Sequence, residues 1–101
     1  MRLSPAVAEV LLEQALRTIE IMLSCHVVHA DLSAYNMLYA GERLRVIDMP
    51  QAVDARTNPN ARLLLARDVA NVCLYFASQG ADAEPGTFAS ELWDLYGRAK
   101  L

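Results

Sequence analysis

Lysine and glycine are scarce in this sequence, and that scarcity limits its chemistry. Of the nine basic residues eight are arginines, and the single lysine, Lys100, is next to last. The four glycines are too scattered to form a glycine-rich phosphate-binding loop: Gly41, Gly80, Gly86 and Gly97. Any reaction that needs such a loop or an internal lysine has to obtain it from elsewhere.

A long apolar run is also missing. No stretch approaches the roughly 20 residues that a membrane span requires, because Glu9, Glu13, Arg17 and Glu20 interrupt the longest one. Pro5 and Glu9 stand where a secretory leader would be apolar. The net charge of −3 argues against a general nucleic-acid binder, which usually has a basic face. We therefore expect a cytoplasmic protein with neither a membrane nor a direct nucleic-acid partner.

Cysteine is too rare for a disulfide framework, since Cys25 and Cys73 are the only two. We expect both to be buried free thiols. Cys25, His26 and His29 form a C-H-x-x-H cluster, but no fourth ligand follows at the spacing that zinc sites use. The cluster therefore does not predict a zinc site.

Apolar residues, by contrast, are abundant: they make up 54% of 101 residues. A chain of roughly this length supports one compact core, so we expect a single domain over residues 1–101. Ser4-Pro5 and Asn58-Pro59 are typical helix starts, and they predict helices to about Ser24 and about Gln79. A last short helix follows Gly86, with an apolar face that includes Phe88, Leu92, Leu95 and Tyr96.

Between the first two helices the helical period is lost. Residues 37–39 and 44–47 read as two short strands around a turn at residues 41–42, and residues 48–58 read as an ordered loop. The predicted fold class is therefore α+β, mainly helical, with one small β-hairpin.

Three oxygen-bearing side chains stand at the edges of these strands: Asp31, Asn36 and Asp48. The hairpin returns the chain on itself, so we expect Asn36 and Asp48 to lie close together. Paired hard oxygen donors suit Mg²⁺, and Asp31 on the same loop could act as a base or orient water. Each of these residues alone could simply cap a turn, but that explanation is weaker for all three at this spacing.

The same residues carry a family resemblance. Residues 29–36, HADLSAYN, resemble the catalytic loop H-x-D-x-x-x-x-N of protein-kinase-like enzymes. The Leu-Ser-x-Tyr variant of that loop looks like the RIO family of atypical protein kinases. The resemblance continues in residues 46–53, VIDMPQAV, and in residues 58–61 and 67–72, so that it covers about Val27 to Phe76.

This resemblance implies a protein-kinase-like C-terminal lobe with ATP as co-substrate. Asp31 would be the catalytic aspartate, and Asn36 and Asp48 would hold Mg²⁺ against the nucleotide. Asp48 could also accept the phosphoryl group, giving an aspartyl-phosphate, so that it is either a ligand only or a nucleophile as well. Asp68, in an apolar stretch of the second helix, would be a buried anchor for the loop backbone, and His29 would pack beneath that loop.

The implied function is ATP- and Mg-dependent phosphoryl transfer by a RIO-type serine/threonine kinase or ATPase. The nucleotide-covering lobe is expected to be absent, so we expect weak activity. Two alternatives stay open: a non-catalytic binding module, and one half of a split enzyme whose exposed apolar surface invites a homo-oligomer or a separate second half. A small-molecule kinase of the aminoglycoside type fits less well because of Pro50-Gln51. The residues do not identify a protein substrate.

Overall fold

The computed structural model describes residues 4–33, 37–40, 43–46 and 51–101. Within these ranges the chain forms three α-helices and two small antiparallel sheets. The helices are α1 (Pro5–Ser24), α2 (Ala61–Ser78) and α3 (Pro85–Gly97), and the strands are β1 (Val27–Val28), β2 (Met37–Ala40), β3 (Arg43–Val46) and β4 (Val53–Asp54). The prediction of a mainly helical α+β fold is confirmed.

Helix α1 begins where the sequence predicts. The Ser4 hydroxyl accepts a hydrogen bond from the Val7 amide at 3.3 Å, which satisfies one of the free N–H groups of the first turn. The inner side of the helix is apolar and enters the core, with Leu11, Ala15 and Leu23 fully buried. The chain then leaves the helix through Cys25, the C-cap residue.

Helix α2 begins slightly later than predicted. The Asn58 carboxamide oxygen accepts from the Asn60 amide at 2.8 Å, so Asn58-Pro59 forms a turn and the helix starts at Ala61. Beyond its end, Gly80 has φ +95, and a Cβ there would approach Pro5 to 3.3 Å. Glycine is therefore needed both for this backbone conformation and for the close approach to the start of α1.

Of the two sheets, the sequence predicts one and does not predict the other. The predicted hairpin is present, with β2 and β3 paired from Met37↔Val46 to Ala40↔Arg43. The other sheet was not predicted: β4 lies inside the expected loop of residues 48–58 and pairs with β1, Val28 opposite Val53. Two-residue strands are too short to leave a periodic pattern.

The core lies between the three helices and the segment around β1. Its largest buried apolar side chains come from α1, α2, β1 and the segment after β1: Leu11, Leu23, Val28, Leu32, Leu65, Val69, Val72 and Phe76. Cys73 is buried as expected, but Cys25 is exposed, which corrects the prediction of two buried thiols. Cys25 is the C-cap residue of α1, one position outside the helix whose inner side enters the core. In the described ranges, no helix combines the length and apolarity needed to cross a bilayer.

Candidate active site

The candidate loop follows β1 directly. After α1 the chain turns at His26, which has φ +65, and β1 then carries it inward, with Val28 only 2% exposed. His29 follows and is itself 2% exposed. The loop therefore starts from inside the core, and its first residues are fixed by packing.

Asp68 of α2 binds the backbone of this loop. Its Oδ2 accepts a hydrogen bond from the Ala30 amide at 2.8 Å, and its Oδ1 accepts from the Leu32 amide at 3.1 Å. Asp68 is 1% exposed, so these bonds supply partners for a carboxylate that has lost water. This confirms the predicted role of Asp68 as a buried anchor of the loop.

Asn71, one turn further along α2, adds a bond that the sequence analysis did not assign. Its Nδ2 donates to the Leu32 carbonyl at 3.3 Å. Both the N–H and the C=O of Leu32 are therefore bonded to side chains of α2. The available signal was the spacing of three residues between Asp68 and Asn71, which places both on one side of the helix.

Asp31 stands between the two amides that Asp68 holds. Its own amide donates to Nδ1 of His29 at 3.2 Å, which agrees with the expectation that His29 packs under the loop. The Asp31 residue itself is exposed, whereas Leu32 beside it is fully buried. Asp31 is thus an exposed residue whose two neighbours in the chain, Ala30 and Leu32, are both hydrogen-bonded through their amides to Asp68.

Two of the three predicted site residues, Asn36 and Asp48, lie outside the described residues. The described strands next to them are β2 and β3, in which Met37 pairs with Val46. The predicted proximity of Asn36 and Asp48, and their predicted role as Mg²⁺ ligands, therefore stay predictions.

Burial and hydrogen bonding act in opposite directions on Asp68. Burial raises the pKa of the Asp68 carboxyl above its ordinary value, and the two amide bonds from Ala30 and Leu32 lower it to a smaller extent. The charges of His29 and Arg67 also lower that pKa. Burial is the largest of these effects, so the pKa of this carboxyl is raised overall. The two amide hydrogen bonds are the main contributions that favour its ionised form.

The C-H-x-x-H residues do not gather around a common point. His26 Nδ1 shares a hydrogen bond of 2.8 Å with the Tyr96 hydroxyl, and His29 Nδ1 accepts from the loop backbone. Across the described ranges, no three His, Cys, Asp or Glu side chains are grouped closely enough to hold a metal ion.

Comparison with known proteins connects this geometry to a family. The family model described as the RIO domain matches residues 2–87. The chain belongs to the RIO domain family. This match includes α1 and the beginning of α3, so it is wider than the segment from Val27 to Phe76 that carries the motifs.

Several RIO-family relatives are named serine/threonine kinases. The chain is 49% identical over 57 residues to the RIO-type serine/threonine-protein kinase Rio1 of Haloferax volcanii, covering 56% of this chain and 19% of that protein. It is 42% identical over 64 residues to the Rio1 kinase of Thermoplasma acidophilum, covering 63% and 33%. It is 43% identical over 56 residues to the human serine/threonine-protein kinase RIO3, covering 55% and 11%.

The matched segments thus span a third or less of these three relatives. Their names support a kinase-like function for the RIO domain in general.

Proposed function

We propose that this chain is the C-terminal lobe of a RIO-type serine/threonine kinase or ATPase, and that Asp31 is its catalytic aspartate. The observation that carries the proposal is the way Asp31 is held. The amides of its neighbours Ala30 and Leu32 both donate to the buried Asp68, while Asp31 itself is exposed. A carboxylate fixed at the backbone and open to solvent is suited to act on an incoming substrate.

The proposed role of Asp31 is to orient the attacking hydroxyl or water and to accept its proton. A positioned general base of this kind typically contributes about 10²- to 10⁴-fold to a rate. The contribution depends on position, because the carboxylate must lie within hydrogen-bond reach of the proton it takes. The bonds from Asp68 supply that fixed position.

Asn36 and Asp48 are proposed to hold Mg²⁺, with ATP as co-substrate. An amide oxygen and a carboxylate are ligands that Mg²⁺ accepts, together with phosphates and water. The pairing of Met37 with Val46 supports their proximity, because each residue adjoins this end of the hairpin in the sequence. Mg²⁺ bound there would neutralise charge on the phosphates. Asp48 is either a ligand only or also the phosphoryl acceptor.

The isolated chain is expected to have weak activity. Its 101 residues include no glycine-rich loop and only Lys100 as a lysine, so phosphate positioning and exclusion of water are incomplete. A separate segment, supplied in the same or another polypeptide, is proposed to complete the nucleotide site. A cytoplasmic location and a protein substrate remain part of this proposal.

The test compares two site variants with a surface control. Binding of Mg·ATP to the purified chain is measured by calorimetry and NMR shifts, and transfer is followed with ATP labelled in its γ-phosphate. Asp48→Ala is expected to weaken binding, whereas Asp31→Asn should keep binding and lower transfer by about 100-fold or more. Asp82→Asn, in the exposed loop before α3, should change neither.

Two results would contradict the proposal. One is a folded chain with no NMR shifts at millimolar Mg·ATP. The other is transfer that persists unchanged in Asp31→Asn. Strong transfer by the wild-type chain, abolished in Asp48→Ala, would instead overturn only the expectation of weak activity.

A non-catalytic binding module is the second candidate function. The observation that favours it is the large exposure of two leucines on α2, Leu63 at 71% and Leu74 at 74%. Exposed apolar side chains grouped on one face are typical of interaction surfaces. Absence of nucleotide binding in the calorimetric experiment, together with a stable oligomer in light scattering, would favour this candidate.

A further inference from the structure

Two helices of the molecule expose apolar side chains at the same spacing. On α1 these are Val10, 39% exposed, and Ile21, 50% exposed; on α2 they are Leu63 and Leu74, 71% and 74% exposed. In each helix the two positions are eleven residues apart, which is close to three helical turns or about 16 Å. Each pair therefore lies on one side of its helix, and we name these sides the α1 face and the α2 face.

The α2 face consists of two projecting leucines above a floor of small residues. Between Leu63 and Leu74 on the same side lie Ala66 and Ala70, both exposed. A cavity of about 300 Å³ extends from these alanines toward α3, where Ala89 lines it. A partner could therefore approach this helix closely while the leucines project toward it.

The α1 face is nearly flat beside Val10, whereas leucines project from the α2 face. A shallow depression of about 400 Å³ is lined by Val10, Glu13, Gln14, Arg17 and Thr18. The aliphatic parts of these side chains offer apolar surface on which a projecting leucine side chain can pack. The two faces thus match in the spacing of their apolar residues.

The exposed charges of the two helices are opposite on balance, because acidic residues outnumber basic ones on α1 and both exposed charges of α2 are basic. The α1 face is bordered by Glu9 and Glu13, while its Arg17 is already paired with Glu20 at 2.6 Å. The exposed charges of α2 are both basic, Arg62 and Arg67, because its one acidic residue is the buried Asp68. An acidic border facing a basic one favours the encounter and fixes which faces meet.

We propose that the α1 face of one copy of this chain binds the α2 face of a second copy. The partner is thus identical to the chain itself, and the contact is head-to-tail because its two sides are different surfaces. Each pair keeps one free α1 face and one free α2 face, so further copies can add. The surface is small, and the association is weak and concentration-dependent. This inference does not depend on the phosphoryl-transfer proposal.

The first test is the mass of the wild-type chain by light scattering from about 10 µM to about 1 mM, the range of weak protein pairs. The mass is expected to rise continuously from the monomer value of 11.2 kDa. A chain that stays at 11.2 kDa over the whole range overturns the proposal. Such a result would assign the two faces to other partners.

The second test blocks one face at a time. Val10→Glu blocks the α1 face and Leu74→Glu blocks the α2 face, in each case with a good helix former at an exposed position. Each variant alone is expected to stay monomeric. Their equimolar mixture should form dimers and nothing larger, because only one intact α1 face and one intact α2 face remain. If only one variant loses association, or if the mixture stays monomeric, the head-to-tail contact is wrong.

Two further variants serve as controls. Leu95→Glu alters an apolar residue of α3 that is 38% exposed, nearly the same as Val10, and should leave self-association unchanged. Glu13→Lys should weaken association several-fold by reversing a border charge, and unchanged association would overturn the electrostatic part. Circular dichroism verifies that each variant is folded; Val10→Ser and Leu74→Ser replace any variant that is not.

Discussion

The two ends of β1 are each held by a side chain from a distant helix, but by different means. His26 before the strand and Ala30 near its end both have positive φ, 65 and 72, although neither is glycine. The Tyr96 hydroxyl of α3 bonds the His26 side chain, whereas the buried Asp68 carboxylate of α2 bonds the Ala30 backbone. We call these the Tyr96 end and the Asp68 end.

The difference shows where backbone position matters. At the Tyr96 end one bond joins two side chains that are both partly exposed, so either can move without disturbing the strand. At the Asp68 end two main-chain amides share one buried acceptor, and losing it leaves them without a partner. The rigid end is the one that carries Asp31.

The largest loss of stability is expected for Asp68→Ala, which removes the bonds of the Asp68 end. Removal of the carboxylate leaves the buried Leu32 amide and the half-buried Ala30 amide without their acceptor, so we expect a loss of about 2–4 kcal/mol in the free energy of unfolding. Urea denaturation followed by circular dichroism measures it. Asp82→Ala, an exposed aspartate, is the matched control and should stay within about 0.5 kcal/mol. A loss below about 1 kcal/mol in Asp68→Ala would show that water replaces the carboxylate.

The pH dependence of stability should have opposite signs at the two ends. At the Tyr96 end, hydrogen bonds from Arg56 hold the pKa of Asp54 at about 2. Its stabilising effect is complete above the ordinary aspartate pKa and is lost as the pH falls through about 2. At the Asp68 end burial raises the pKa, so stability is greatest below the ordinary value and falls as the pH rises through the folded-state pKa.

Urea denaturation as a function of pH separates these two contributions. Asp68→Asn should abolish the decrease in stability that the wild-type chain shows as the pH rises above about 4. Asp54→Asn should instead reduce the loss of stability toward pH 2. A wild-type chain and an Asp68→Asn variant with parallel pH profiles above that point would contradict the raised pKa.

Tyr96→Phe tests the weaker end. It removes the hydroxyl bond to His26 but keeps the ring, which lies 5.7 Å from the His26 ring and 5.3 Å from that of Trp93. We expect a loss of about 0.5–1.5 kcal/mol in urea denaturation. A loss as large as that of Asp68→Ala would remove the distinction between the two ends.

The smallest effect is expected for Ala30→Gly. Glycine adopts positive φ without steric cost, so this variant should be neutral or up to about 1 kcal/mol more stable than wild type. The matched control is Ala70→Gly on the exposed side of α2, which should cost about 1 kcal/mol. Thermal denaturation of the two variants should therefore shift in different directions or by clearly different amounts.

The helices and the hairpin could be predicted from local signals in the sequence. Ser4-Pro5 marks the start of α1 correctly, and the two runs on either side of the predicted turn do pair as β2 and β3. The predicted turn itself, residues 41–42, lies outside the described residues. The pairing of β4 with β1 could not be predicted, because two residues show no periodicity and the contact joins positions far apart in the chain. Exposure of Cys25 depends in the same way on where α1 ends relative to the core.

Some residues of the candidate site could likewise be identified from the sequence, and others could not. Motif spacing identified Asp31, and one carboxylate in an apolar stretch of α2 identified Asp68 as the loop anchor. The bond from Asn71 to Leu32 was not predicted, since the three-residue spacing from Asp68 places Asn71 on the same side of α2 but does not show which backbone group lies beside it. The roles of Asn36 and Asp48 stay predictions.

The bonds that Leu32 makes to α2 have a consequence for how the chain can vary in length. The N–H and the C=O of Leu32 are both hydrogen-bonded to side chains of α2. The hairpin of β2 and β3 begins only five residues later, at Met37. Residues inserted between β2 and β3 would lengthen the connection within the hairpin, while Leu32 stays bonded to α2. We therefore expect length variation between these two strands to leave Asp31 in place.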